Sequence, residues 1–162
     1  MGLDMYLYLR KHEYHANCEW KTKEEQEKAK YPIELADFEK EIKEWNFPSV
    51  DINTDYQVGY WRKANAIHNW FVENCADGVD ECQEIRVSNE SAKDLLNLCN
   101  KVLADHSLAE SELPTQQGFF FGSQEYDEYY FEDLTYTKKL MEKVVSFLDK
   151  HKEYRLIYCA SW

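Results

Sequence analysis

Residues 3–10 alternate, with Leu3, Met5, Leu7 and Leu9 on one side of an extended chain and Asp4, Tyr6, Tyr8 and Arg10 on the other. A period of two predicts a strand with one buried and one solvated face. That strand needs a sheet covered on its apolar side and wet on the other. Together with the order of strand and helix signals along the rest of the chain, it implies an α+β class: a small antiparallel or mixed sheet with helices packed mainly on one face.

The rest of the chain supplies the partners. Its clearest helix is "NESAKDLLNLCNKVLADH", where Ser88 is placed to cap and Ala92, Leu95, Leu96, Cys99, Val102 and Leu103 form one apolar stripe. "CQEIRVS" before it and "YRLIYCASW" at the end read as strands. Leu134, Met141, Val144, Val145 and Leu148 predict a last helix starting at Asp133 or Thr135. "GFFFGSQEYDEYYFEDL" predicts two aromatic strands around a turn at Ser123 to Asp127. "SVDINTDYQVGYW" reads as a short strand or an ordered loop, and "VGYWRKANAIHNWF" as a helix from about Tyr60 to Cys75, closed by a turn at Gly78. A lysine and glutamate segment, broken at Pro32 and carrying Ile33, Phe38, Ile42 and Trp45, predicts an insertion with exposed helices at about 11–48. The expected organisation is a single domain over 1–162 that includes this insertion.

Composition narrows the class of function. Hydrophobic residues at 44% and aromatics at 15% suffice for a packed core, without disulfides or metal. The five cysteines form no tight framework, and the N-terminus has no basic start leading into an apolar core, so a reducing, cytoplasmic setting is expected. No apolar run approaches the roughly 18 residues of a membrane span. The net charge of −12 repels a phosphate backbone, which argues against direct nucleic-acid binding. The acidity is local: residues 108–137 hold seven carboxylates and no lysine or arginine. An acidic face of this kind can imitate DNA toward a DNA-binding protein, although many solvated faces are equally acidic.

Three constellations could carry chemistry. On a helix starting near Tyr60, Ala64, Ile67, Phe71 and Cys75 face the core, while Trp61, Asn65 and His68 share a border with solvent and Arg62 flanks it. Tyr60 or Trp61 would stack on a planar group, Arg62 and Lys63 would neutralise phosphate at the helix N-terminus, and Asn65 and His68 would give polar contacts. The plainer alternative makes Trp61 core, and Asn65 and His68 boundary residues bonded to backbone. The second constellation is Pro114–Asp133, which supplies Thr115, Gln116, Gln117, Tyr126, Tyr129 and Tyr130 together with Glu125, Asp127, Glu128, Glu132 and Asp133. Gln116, Gln117 and Tyr126 could close a pocket from that side. Carboxylates on a strand alternate between faces, so convergence on a metal would need partners such as Asp4 or His68. The third is "HEYHANC", with His12, His15 and Cys18, which would need Cys75 or Cys82 to complete a zinc site and matches no common zinc module.

"MGLDMYLYL", "VGYWRKANAIHNWF" and "HSLAESELPTQQGFFFGSQEYDEYYFEDL" together resemble a family of small uncharacterised proteins of bacteriophages and bacterial mobile elements. The likeness covers most of the chain outside the insertion. It implies a context rather than a reaction: small phage accessory proteins often counter host defence by sequestering signalling nucleotides, blocking an effector or imitating DNA. The expected function is a non-enzymatic binding protein, with no cofactor or metal, that sequesters a small nucleotide-like or planar anionic ligand. The expected partners are that ligand and a host defence protein, with a homo-oligomer open. An acidic inhibitor docking on a host nucleic-acid-binding protein comes second, and a nucleotide hydrolase third.

Overall fold

The computed structural model describes residues 2–16 and 49–162, with side chains described for 2–12 and 53–162. The chain divides into two compact units, Met1–Lys11 with Asp55–Trp162, and His12–Thr54; the first is described below. The expected helices around Ile33, Phe38, Ile42 and Trp45, together with Cys18, lie outside the described residues.

In chain order the elements are β1 (Asp4–Ala16), β2 (Ser49–Arg62), α1 (Asn65–Cys75), β3 (Ile85–Val87), α2 (Asn89–Ala104), a single 3-10 turn (His106–Leu108), α3 (Ala109–Glu112), α4 (Glu128–Lys150) and β4 (Tyr154–Ser161). The strands form an antiparallel sheet in the order β2-β1-β4-β3. β4 lies in the middle, with Leu7 opposite Tyr158 on β1 and Ile85 opposite Tyr158 on β3. The fold is α+β, as the order of strand and helix signals in the sequence implies.

Leu3, Met5, Leu7 and Leu9 are all buried, as are Leu156, Tyr158 and Ala160 on β4 and Ile85 and Val87 on β3. This face meets the helices. Phe71 of α1 stacks on Tyr158 with ring centroids 4.1 Å apart. A Cβ at Gly59 would stand 2.5 Å from a Leu140 methyl on α4 and 3.2 Å from Leu7 Cβ, so a larger residue would force the Leu140 side chain to move where strand and helix meet. Each fully buried leucine contributes about 1.5–3 kcal/mol, and the opposite face keeps Tyr6, Tyr8 and Arg10 partly exposed.

Two local expectations are corrected. The helix expected from Tyr60 begins only at Asn65, because Tyr60, Trp61 and Arg62 complete β2. Lys63 then takes a left-handed conformation, φ 61°, and donates its N–H to Leu3 O at 2.8 Å. Ala64 follows in a tight three-residue turn closed by Asn65 N–H on Lys63 O, also 2.8 Å. This double break turns strand into helix.

The aromatic hairpin is not formed either. Residues after Leu113 run as loop to Asp127, whose carboxylate accepts from Tyr130 N–H at 3.2 Å and starts α4 five residues before the earlier of the two expected starts. Aromatic residues have high strand propensity, but packing overrides it here. Tyr130 donates its hydroxyl to Leu113 O at 2.8 Å, and Phe131 stacks on His106 at 3.7 Å. With Tyr130 included, the buried stripe Leu134, Thr137, Met141, Val144 and Leu148 has a helical period throughout.

Candidate functional site

The turn at Lys63–Ala64 and the first turns of α4 face each other across a cleft of about 340 Å³. Arg62, Lys63 and Asn65 line one side, from the end of β2 and the start of α1. Thr115 and Ser123 contribute from the long loop, and Glu125, Asp127, Tyr129, Tyr130, Glu132 and Asp133 line the other side. Parts of two constellations that stand apart in sequence thus share one cavity. The helical phase of α4 is what permits it: residues 129, 130, 132 and 133 share a face on a helix but would divide between faces on a strand.

Of the residues proposed from sequence, Arg62 and Lys63 are exposed on the lining, with no ion-pair partner among the described residues. Asn65 is 3% exposed and fully engaged. Its Nδ2 donates to Phe121 O at 3.0 Å and Ser123 O at 2.7 Å, while its Oδ1 accepts from Gln116 N–H at 3.1 Å. It therefore holds the loop in place and has no amide edge left to read a ligand.

The other proposed residues are not on the lining. Trp61 is 2% exposed and donates Nε1–H to Thr137 Oγ1 at 2.8 Å, so its ring belongs to the core. Tyr60 is exposed on β2, but its hydroxyl is bonded to Asp4 and its ring meets Tyr6. Tyr126 packs edge-on against Tyr130, and its hydroxyl accepts from Thr115 N–H at 3.3 Å. Gln116 and Gln117 are loop residues outside the cavity.

His68 is the largest departure from its expected role. It is 1% exposed, and both ring nitrogens are taken, Nε2 by Asp80 at 3.0 Å and Nδ1 by Tyr158 at 2.7 Å. The Asp80 carboxylate only accepts, which assigns a proton to Nε2, and in that tautomer Nδ1 accepts from the Tyr158 hydroxyl. Burial holds the Tyr158 hydroxyl well above the usual phenol range, in keeping with that donor role. Asp80 also accepts from Trp162 Nε1–H at 3.2 Å, so the chain ties the C-terminus to α1. This is a structural relay.

Asp133 is the perturbed carboxyl of the cleft, and sequence reasoning named it only as one acid among many. Burial pushes its carboxyl up to about 6, and the negative charges of Glu132 and Asp127 add to the effect. Arg62 and Lys63 are not among the charges acting on it. The cleft thus has two separate poles, a cationic edge and an electron-rich acidic wall, with Tyr129 on the lining and 76% exposed. A half-buried carboxylate with no cation to offset it is held at a cost that a ligand's N–H or O–H donors would relieve.

Among the described residues no group of three or more histidine, cysteine or carboxylate side chains could hold a metal ion. Of the suggested zinc ligands, Cys18 and the His15 side chain lie outside the described residues, Cys82 is exposed, and burial pushes the Cys75 thiol up. No described helix is long and apolar enough to cross a membrane. Comparison of the chain with protein-family models, with curated proteins and with solved structures found no match.

Proposed function

We propose that the cleft captures a small phosphate-bearing ligand with a planar, hydrogen-donating body, as a nucleotide has, and that the protein sequesters it. The observation that carries this reading is the pairing of poles: Arg62 and Lys63 without partners on one side, and Asp133 without a cation on the other. Phosphate suits the first pole, since guanidinium and ammonium form charge-assisted bonds to its oxygens. A base amino group or a ribose hydroxyl suits the second, donating to the Asp133 carboxylate. Tyr129 offers an exposed ring for stacking, worth about 1–3 kcal/mol for a nucleobase, and Thr115 and Ser123 add hydroxyls. Sequestration of a host signalling nucleotide also fits the context implied by the resemblance to phage accessory proteins.

The acidic-inhibitor reading draws support from Glu125, Asp127, Glu128 and Glu132, all exposed. Against it, Arg62 and Lys63 interrupt that surface at the cleft, where a DNA mimic would need continuous negative charge.

Calorimetric titration with a panel of nucleoside mono-, di- and triphosphates tests the reading. Saturable binding by at least one member is expected, with Arg62→Ala weakening it by about 10- to 100-fold, the range for losing a charged hydrogen bond. Equal affinity in the variant would remove phosphate from the cationic edge. Salt-sensitive co-purification of a host nucleic-acid-binding protein, with no nucleotide binding, would favour the acidic inhibitor.

A further inference from the structure

Two cations, Arg62 and Lys63, share the cleft with four carboxylates, Glu125, Asp127, Glu132 and Asp133. The net charge of −12 on the whole chain adds to that excess rather than offsetting it. Nor is the wall neutralised from within the cleft. Neither cation forms an ion pair with any of the four acids, and the charges acting on Asp133 are those of Glu132 and Asp127, both negative.

Helix chemistry explains only part of the wall. Asp127 caps α4 by accepting from Tyr130 N–H at 3.2 Å, where a carboxylate also meets the positive end of the helix dipole. Glu125 lies before that cap, and Glu132 and Asp133 lie in the second turn of α4, where the dipole has faded. Tyr129 stands on the same lining with its ring 76% exposed. A ligand with several phosphates would set most of its charge against the wall, whereas a single phosphate is matched by Arg62 and Lys63. A neutral body could donate hydrogen bonds to the wall but would leave its excess negative charge in place. A flat cationic body offsets that charge and is held on the Tyr129 ring by cation–π attraction as well as stacking.

We infer that the cleft selects a monophosphate whose planar body is itself a cation, as in a pyridinium or N-alkylated base carried on a ribose phosphate. This rests on the cleft being a phosphate site, as proposed above, and adds the sign of charge at the other end. The phosphate meets Arg62 and Lys63, the ring covers Tyr129, and the positive charge faces Glu132 and Asp133. Such a ligand carries less net negative charge than an ordinary mononucleotide, which suits a protein this acidic.

Nicotinamide mononucleotide is a suitable probe, because its oxidised form has a permanent pyridinium charge and its reduced form keeps the same phosphate, ribose and carboxamide without it. Calorimetric titrations at pH 7.5 and constant ionic strength compare the two forms on wild type, on Arg62→Ala and on a Glu132→Gln, Asp133→Asn double variant, whose melting curve reports its folding. Phosphocholine serves as a cationic phosphomonoester without a ring. The oxidised form is expected to bind wild type at least about tenfold more tightly than the reduced form. That ratio should approach one in the double variant, and Arg62→Ala should weaken both forms alike. Phosphocholine should bind at least about tenfold more weakly than the oxidised form, since it has no face to stack on Tyr129. Equal affinity of the two forms, with Arg62→Ala still weakening both, would overturn the cationic body and leave the phosphate site standing. A preference unaltered in the double variant, or ordinary nucleotides binding where neither form does, would overturn it too. Phosphocholine binding as tightly as the oxidised form would overturn the planar ring. No binding by any of these phosphates, or binding indifferent to Arg62→Ala, would remove the phosphate site and the inference with it.

Discussion

Asp133 is where stability and function pull in opposite directions. A carboxyl raised in the folded protein keeps its proton longer than in the unfolded chain, so between its ordinary value of 3.8 and about 6 the folded state binds more protons. Stability therefore falls as pH rises through that window, and the penalty is complete above it. Asp133→Asn should stabilise the protein at pH 7.5 by roughly 1 kcal/mol after allowance for solvent screening, or about 2–4 °C in melting temperature. The same variant should bind nucleotide at least about tenfold more weakly, since the acceptor is lost, and wild-type affinity should fall as pH drops below about 6. Melting curves and titrations on the same samples check both. A variant neither more stable nor weaker in binding would detach Asp133 from the site. Sequence alone could not single this residue out among seven carboxylates between 108 and 137, because the burial that perturbs it comes from tertiary packing.

At the scale of elements, α4 decides whether the cleft exists. Its first two turns present Tyr129, Glu132 and Asp133, and Asp127 starts them by capping Tyr130 N–H. Asp127→Ala should cost about 1 kcal/mol, the usual loss for an N-cap, and should raise hydrogen exchange at residues 128–131 while leaving the end of α4 unchanged. Uniform change along the helix would mean that packing of Tyr130 and Phe131 alone fixes its start. Elements with a clean period were legible: Leu3 to Leu9 as a strand, and α2 with Ser88 as its cap, where Ser88 Oγ accepts from Ser91 N–H at 2.9 Å. Aromatic runs were not. "EYYFED" has strand propensity, and its place in a helix depends on Leu113 and His106, which are distant in sequence. Helical phasing of Tyr60 to Lys63 failed because nothing local announces a non-glycine residue at φ 61°.

Over the whole molecule, the polar side chains divide between those bonded within the fold and those without a partner in the cleft. Arg10 belongs to the first group, bonded to Asp55 at 2.6 and 2.7 Å through Nε and Nη2 and to Glu84 at 2.7 Å through Nη1 and Nη2. It holds both carboxyls below their usual range. Carboxyls lowered in the folded state give stability that is present above their unfolded values and is lost as pH falls through the folded ones. Acid melts of Arg10→Ala should accordingly show a smaller loss of stability below about pH 4 than wild type, the opposite slope to that from Asp133. Identical acid slopes would mean that these pairs are too solvated to matter.

His68 joins the first group too, although its residue type suggested a ligand contact; Arg62, Lys63 and Asp133 form the second. The fold class followed from the order of strand and helix signals along the chain. The site required knowing which side chains have spent their hydrogen bonds, and that depends on three-dimensional packing. Whether the cleft at Arg62 and Asp133 holds a phosphate-bearing ligand is decided by mass spectrometry of the small molecules released on heating natively purified protein. An intact nucleotide-like compound should come off wild type and be missing from Arg62→Ala. Release of a cleaved product, or of the same compound in equal amount from the variant, would contradict it.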